Sequence, residues 1–344
     1  MRENVKTERA GTVKKFCCLL LAAALLLTLG ACGKKETQPT MVYVDEGTQE
    51  TEEKPVRDTA ILYTAGTAAR DPSFFAALST YRDECTYQYL RSYVGLIDLG
   101  GALDVTDGED ALYTKLDLMI TLGYETAALS PADFRGGADT LLLAANAAQF
   151  PILCGNLVVA GTDSAPLSAW TLASYGGLCV AYVGLAAPED GQTAYRTEDG
   201  QSYELADAAA SLRTAASAAR AAGAQYVIVL ASCGAERAAA LVKEGTGADA
   251  FLDGAGDGGE SRTLTDAAGK EVLYSGLDPA QDSVGVLVIG ADGTLRAQIT
   301  TELGEKSGGM LDHLASLGYD VEAAQSAETE SVSDGTAESG TGEE

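Results

Sequence analysis

Histidine is nearly absent from this sequence, which limits the chemistry that the chain can do. The single histidine, His313, lies in a short amphipathic stretch near the C-terminal end, where we expect it to be exposed and without a catalytic role. A Ser-His-Asp triad or a Cys-His pair requires an imidazole beside the nucleophile. Residues 58–303 contain no histidine. The sequence therefore excludes both kinds of nucleophilic site from this part of the chain.

Two acidic, glycine-containing segments, residues 104–110 and 253–260, carry oxygen donors of the kind that calcium prefers. Neither fits the twelve-residue calcium loop or a glycine-rich nonapeptide repeat. Ordinary Asp-Gly turns explain both segments more simply. The formal net charge of −27 repels phosphate backbones, so we expect no nucleic-acid partner.

The N-terminal region is typical of an exported protein. Basic residues precede an apolar run at residues 17–29, which is shorter than the roughly 20 residues that a membrane-spanning helix needs. The segment Leu29-Gly30-Ala31-Cys32 resembles a bacterial lipobox, which implies cleavage before Cys32 and a diacylglycerol on its sulfur. We therefore expect a signal peptide at residues 1–31 and lipid anchoring through Cys32, which places the protein outside the cytoplasm. Residues 32–57 are polar and acidic and are expected to form a flexible tether.

Four cysteines remain after Cys32: Cys85, Cys154, Cys179 and Cys233. The last three lie in strand-like apolar runs, and no CxxC pair occurs. This pattern favours buried, free cysteines that act as small hydrophobic residues. A disulfide between neighbouring strands remains an alternative at this point.

Short apolar runs alternate with helix-compatible stretches from residue 59 onwards, followed by hairpins. Strands are predicted at residues 60–64, 94–99, 126–129, 152–153, 170–174, 179–184, 225–231, 250–252, 271–274, 284–289 and 294–300. Helices are predicted at residues 74–93, 112–122, 137–148, 205–222, 236–244 and 310–317. The alternation predicts a layered α/β domain at residues 58–303, with a short terminal helix at residues 304–322. Residues 323–344 have the acidic, Ser/Thr/Gly-rich composition of a disordered tail.

Several of these strands resemble, in order and spacing, the framework of a known family: the calcineurin-like metallophosphoesterases of the 5′-nucleotidase and UDP-sugar hydrolase type. The similar segments are Ile61-Leu-Tyr-Thr64, Leu96-Ile-Asp-Leu-Gly100, Leu122-Gly-Tyr-Glu-Thr-Ala-Ala-Leu129, Phe150-Pro-Ile-Leu-Cys-Gly-Asn-Leu157 and Gly177-Leu-Cys-Val-Ala-Tyr-Val-Gly-Leu185. The resemblance implies an αββα sandwich of mixed sheets with helices on the outer faces. It also implies a site for two divalent ions, which in such enzymes activate water and clamp the phosphate.

The residues that would hold those ions have been replaced. The family's Asp-x-His, Gly-Asp, Gly-Asn-His-Glu, Leu-Ser-His and Gly-His-x-His motifs correspond here to Gly66-Thr67-Ala68, Gly100-Gly101, Ser130-Pro131-Ala132-Asp133, Leu230-Ala231-Ser232 and Gly254-Ala255-Gly256-Asp257. Glycine, alanine and proline have no side-chain donor for a metal. We therefore expect no catalytic residue, no metal ligand and neither of the family's two metals.

The resemblance also implies a few candidate residues near the former cleft. Arg70, Asp98, Asp133, Arg135, Ser232 and Asp257 form this set. A guanidinium there could hold an anion, and paired carboxylates could do acid–base work without metal. For the two arginines, an exposed surface position is the simpler expectation.

The sequence thus favours a membrane-anchored, extracytoplasmic lipoprotein with a degenerate phosphoesterase domain. Its expected role is to bind an unknown ligand or protein without catalysis. One alternative is a divergent phosphoester hydrolase with a rebuilt site that uses Asp98, Asp133, Asp257 or Ser232. Another is a structural envelope protein whose acidic tail docks partners.

Overall fold

The computed structural model describes residues 57–105, 108–187, 194–259 and 261–321. Cys32, the predicted signal peptide, nearly all of the predicted tether and the predicted acidic tail lie outside these ranges. Among the described residues, no helix has both the length and the apolar character to cross a membrane.

The first sheet has six strands. In chain order they are β1 (Thr59–Thr64), β2 (Val94–Asp98), β3 (Thr126–Ala128), β4 (Ile152–Leu153), β14 (Val284–Ile289) and β15 (Leu295–Thr300). The spatial order is β15-β14-β1-β2-β3-β4, with β1 to β4 parallel. β14 is antiparallel to both β1 and β15. The β14–β15 hairpin turns at Ala291-Asp292-Gly293.

The second sheet also has six strands. They are β6 (Trp170–Tyr175), β7 (Leu178–Leu185), β10 (Tyr226–Ala231), β11 (Ala250–Asp253), β12 (Arg262–Thr265) and β13 (Glu271–Gly276), in the order β12-β13-β11-β10-β7-β6. The four central strands are parallel. β6 and β12 are antiparallel edge strands. Both sheets are therefore mixed.

Within the described residues, six helices cover the outer faces of the two sheets. They are α1 (Pro72–Tyr89), α2 (Glu109–Leu122), α3 (Gly137–Ala147), α4 (Ala208–Ala221), α5 (Ala235–Lys243) and α6 (Gly308–Ser316). Successive strand residues point to opposite faces, so one strand can serve two cores. In β1, Leu62 packs with the helices outside the first sheet, whereas Ile61 and Tyr63 pack between the sheets. In β10, Val229 packs with α4 and α5, whereas Ile228 packs between the sheets.

This arrangement is the predicted αββα sandwich. All six residues of β1 and all six of β14 are buried, which is typical of strands covered on both faces. The terminal helix α6 buries Met310, Leu311 and Leu314 in the core cluster that also contains residues of α1. The layers bring the carboxyl ends of the parallel strands of both sheets to the edge where the family's site would lie.

Several helix boundaries differ from the prediction, by up to four residues. The helix predicted from residue 205 begins at Ala208, because the carboxylate of Asp207 accepts the N–H of Ala210 and caps the first turn, while Leu205 still belongs to a strand. The helix predicted to run to residue 93 ends at Tyr89, and Leu90 has a φ of 71°. A short 3₁₀ helix at Arg91–Tyr93 follows Leu90 and leads into β2.

Four strands were not predicted. A small third sheet has the order β5-β9-β8 and consists of β5 (Leu157–Val159), β8 (Ala194–Arg196) and β9 (Ser202–Leu205). The fourth is β12 at the edge of the second sheet. These strands have three or four residues each, and most of their side chains are not buried, so the apolar alternation that indicates a strand is missing.

Candidate functional site

The segments that correspond to the family's metal-binding motifs do meet in space. We call residues 66–68, 100–101, 130–133, 230–232 and 254–257 the ligand-position loops. The amide of Gly66 donates to the carbonyl of Gly100 at 2.7 Å, and the amide of Ala68 donates to that of Gly101 at 3.0 Å. The order of the segments in the sequence therefore predicted their convergence correctly.

These loops touch one another backbone to backbone. A β-carbon placed on Gly101 would lie 2.8 Å from the Cα of Gly66, and one on Gly100 would lie 2.6 Å from the amide nitrogen of Ser130. Real β-carbons do not approach other heavy atoms as closely as 2.8 Å, so only glycine fits at position 101. On its other side, Gly66 faces the carbonyl of Pro279, which would lie 3.4 Å from an added β-carbon. Main-chain atoms thus occupy space that a larger side chain would need.

Asp98 lies at the end of β2 and is completely buried. Its carboxylate accepts the hydroxyl of Thr64 and the amide of Gly100, each at 2.8 Å. Burial raises the pKa of Asp98 to about 7, the two hydrogen bonds oppose that rise, and the nearby Asp133 adds to it. Asp98 therefore lies close to Asp133, and both side chains face loop backbone.

Asp133 ties two ligand-position loops together. One carboxylate oxygen accepts the amides of Gly101 and Ser130 at 2.8 and 2.6 Å, and the other accepts the amide of Leu103 at 2.6 Å. The side chain is 1% exposed, and burial raises its pKa while these hydrogen bonds lower it. With Ser130, Asp133 also forms a capping box on a short 3₁₀ helix.

Asp253, at the end of β11, plays the same part in the second sheet. It is completely buried, and one oxygen accepts the amides of Cys233, Gly234 and Ala255 at 3.0, 3.3 and 3.0 Å. The other oxygen accepts the hydroxyl of Tyr274 at 3.0 Å. The sequence pattern indicated only an acidic turn at Asp253. The signal that could have identified its role is a carboxylate that ends a buried apolar strand directly before glycine.

Arg70 is not the exposed arginine that the sequence favoured. It is 5% exposed, and its guanidinium donates to the carbonyl of Ala65 through Nε and Nη2, at 3.3 and 3.0 Å. Nη1 pairs with Asp282 at 3.0 Å, and the group lies over the ring of Phe74. Arg70 therefore holds the loop after β1 in place.

The remaining candidates differ in their exposure. The side chain of Arg135 is exposed, as expected, and pairs with Asp104 at 2.9 Å. Ser232 is 6% exposed and lies in a ligand-position loop. Asp257 is exposed and accepts the amide of Gly259 at 3.1 Å, as in an Asx turn.

The donors present do not fit a pair of metal ions. A dinuclear centre needs several ligands around two ions about 3.5–4 Å apart. The oxygens of Asp98, Asp133 and Asp253 instead accept backbone or hydroxyl hydrogens. Across residues 57–105, 108–187, 194–259 and 261–321, no three His, Cys, Asp or Glu side chains are grouped so that they could hold a metal ion.

The cysteines and the histidine are accounted for separately. Within the described residues, no disulfide joins Cys85, Cys154, Cys179 and Cys233. Burial raises the pKa of the Cys154 thiol to about 11. His313, on α6, is half-buried rather than exposed, and its Nε2 lies 3.1 Å from the carboxylate of Asp117.

Comparison with solved structures identifies the fold. Three similar structures are the 5′-nucleotidase precursor of Thermus thermophilus (TM-score 0.62, 16% identity), the T. thermophilus sulfate thiohydrolase SoxB (0.61, 15%) and the calcineurin-like phosphoesterase YfkN of Bacillus subtilis (0.57, 17%). They cover 78%, 79% and 76% of this chain, respectively. The chain spans 59% and 62% of the two T. thermophilus proteins and 96% of YfkN.

No protein-family model and no curated protein sequence matches the chain. At these levels of identity, the structural similarity speaks for the fold and not for the activity. The sheet order, the helical layers and the converging loops all agree with it. The described part of the chain therefore has the fold of the calcineurin-like metallophosphoesterases, of the 5′-nucleotidase type.

Proposed function

We propose that this protein is a membrane-anchored, extracytoplasmic lipoprotein whose phosphoesterase-like domain binds a ligand or partner without hydrolysing it. The observation that carries the proposal is the contact between the ligand-position loops, where Gly101 packs directly on Gly66. In an enzyme of this fold, side chains at these positions would hold the ions. Here the loops meet through main-chain atoms instead.

The buried carboxylates support the same conclusion. To bind a cation through Oδ2, Asp133 would have to release the amide of Gly101 or of Ser130, because that oxygen already accepts both. Each hydrogen bond to a charged group contributes about 1.5–3 kcal/mol, and unpaired buried amides add a further penalty. Metal binding would therefore work against the folded loops.

A hydrolysis assay tests the proposal. The full chain, purified in detergent, is incubated with nucleotides, UDP-sugars and p-nitrophenyl phosphate in the presence of manganese, cobalt or zinc, and its bound metal is measured. The T. thermophilus 5′-nucleotidase serves as the positive control. We expect no turnover above the buffer rate and less than one tightly bound ion per chain. Turnover that a chelator abolishes would refute the proposal.

Anchoring requires a separate test, because Cys32 lies outside the described residues. We expect the wild-type protein to fractionate with membranes and to incorporate labelled fatty acid. Cys32→Ala should remove the label and release the protein or leave its signal peptide uncleaved. Equal labelling of the variant would contradict lipidation at Cys32.

A second candidate function is a metal-independent hydrolase, and the pKa of about 7 at Asp98 favours it. Perturbed carboxyl groups of this kind often serve as general acids or bases. The candidate predicts chelator-resistant activity that falls at least tenfold in one of Asp98→Asn, Asp133→Asn, Ser232→Ala and Asp257→Ala. If no variant changes the rate, this candidate fails.

A further inference from the structure

A positively charged groove lies outside the ligand-position loops of this acidic protein. It measures about 310 Å³ and lies between α4 and the loop that joins α5 to β11. Arg213, Arg220 and Lys270 line it, together with Gly245, Thr246 and Gly247, and no Asp or Glu of the described chain is among the lining residues. Three cations around one small groove are unusual in a chain with a net charge of −27.

Two of the cations are fixed in place by the protein. Arg220 donates to the carbonyls of Ala224 and Gln225 and pairs with Asp249. Lys270 donates to the carbonyls of Gly247 and Ala248 and pairs with the other oxygen of Asp249 at 2.9 Å. Because one carboxylate serves both, the groove keeps an excess of positive charge. These two side chains contribute charge rather than available donors.

Arg213 is the cation with donors to spare. It is exposed on α4, and its contact within the described chain is a 3.5 Å bond from Nη1 to the carbonyl of Glu244. A guanidinium has five N–H donors, so most of those on Arg213 can reach a ligand in the groove. Its planar fork matches two oxygens of an anion such as phosphate.

The loop on the opposite side of the groove offers further donors. Thr246 is 2% exposed, yet its hydroxyl has no hydrogen-bond partner in the part of the chain that the structure describes. Gly245 and Gly247 have φ angles of 77° and 76°, a backbone form in which successive amides can line an anion-binding concavity. The amides of Thr246 and Gly247 likewise donate to no group in the described ranges. A buried hydroxyl without a partner is costly unless something binds it.

We propose that this groove binds a phosphate group, held by the guanidinium of Arg213 and by the loop Gly245-Thr246-Gly247, with Arg220 and Lys270 supplying charge. The site is separate from the ligand-position loops, and the inference does not depend on the proposed function. The phosphate can be free in solution or part of a lipid headgroup, because the donors recognise the oxygens that both share.

Isothermal titration of the full chain in detergent with inorganic phosphate tests the site. We expect saturable binding that Arg213→Ala weakens at least tenfold. Arg237→Ala is the matched control: it removes an equally charged, exposed arginine of α5 that does not line the groove, and should change the affinity less than twofold. If both variants weaken phosphate binding equally, the loss comes from the change in overall charge, and the proposal is overturned.

Thr246→Val separates binding from folding. It keeps the shape of the side chain but removes the unpartnered hydroxyl, so we expect unchanged or higher thermal stability without phosphate and severalfold weaker phosphate binding. Unchanged affinity would remove Thr246 from the site and overturn the proposed contact. A second arm uses phosphatidylcholine vesicles with and without phosphatidic acid. Binding that Arg213→Ala weakens, in either arm, supports the site and identifies the source; binding in neither arm overturns it.

Discussion

Replacing Gly101 by alanine tests whether the ligand-position loops are packed as closely as the structure places them. The new β-carbon would lie 2.8 Å from the Cα of Gly66 and 3.6 Å from the hydroxyl of Ser130. Gly269 provides a matched control, because it has the same φ of 85° but no heavy atom within 4 Å of an added β-carbon. Both substitutions strain the backbone, whereas only Gly101→Ala forces two loops apart.

The magnitudes follow from these two effects. An alanine in the left-handed region costs roughly 1–2 kcal/mol, and this cost is common to both variants. Overpacking at a close contact adds about 1–3 kcal/mol. We therefore expect Gly269→Ala to lower the free energy of unfolding by about 1–2 kcal/mol and Gly101→Ala to lower it by about 2–5 kcal/mol.

Urea unfolding followed by circular dichroism measures both values, with the m-value as a check that the unfolded states are equivalent. If Gly101→Ala destabilises the protein no more than Gly269→Ala does, the loops have room for a side chain. In that case a metal-sized space would exist at the site, and the structural support for a non-catalytic protein would be lost.

Three further predictions concern buried groups. The folded-state pKa of Asp98, about 7, lies above its ordinary value of 3.8, so the folded protein retains a proton that the unfolded chain releases. The stability from this group is present at acid pH and is lost as the pH rises from about 4 to about 7. Asp98→Asn should therefore gain stability relative to the wild type over that range, as measured by urea unfolding at several pH values. If the free energies of unfolding of the two proteins change in parallel with pH, the prediction is wrong. Asp253→Ala should lower the free energy of unfolding by about 3 kcal/mol or more, because buried amides lose their acceptor. The exposed control Asp257→Ala should change it by no more than about 0.5 kcal/mol. Similar values for both variants would refute the role of Asp253. Peptide mapping after alkylation of the folded protein should find Cys179, which is half-buried, labelled before Cys154, which is buried and has a pKa raised to about 11.

The main sheets could be predicted from the sequence because their strands are buried on both faces. Continuous apolar runs such as residues 60–64 and 284–289 leave few alternatives when helical stretches separate them. The third sheet could not be predicted in the same way. Its strands are short and partly exposed, and β8 and β9 pair across a turn that carries no apolar alternation.

The sequence predicted that the ligand-position loops meet, but it revealed only some of the contacts within them. The order of the motif-like segments was enough to place the ligand-position loops together. The sequence did not reveal that Arg70 is buried, since its main contact, the carbonyl of Ala65, is set by the path of the backbone. It also did not distinguish Asp253, which closes a loop, from Asp257, which caps an exposed turn, because both precede glycine.

The hydrogen bonds from loop amides to three buried aspartates affect how this domain responds to the metal content of its surroundings. Asp98 and Asp133 fasten the loops of the first sheet, and Asp253 fastens those of the second, with atoms that the polypeptide itself supplies. Under the proposed metal-free function, a scaffold closed in this way is expected to keep its shape through shortage or excess of trace metals. Chelation of metals in the medium is then expected to leave its folding unchanged.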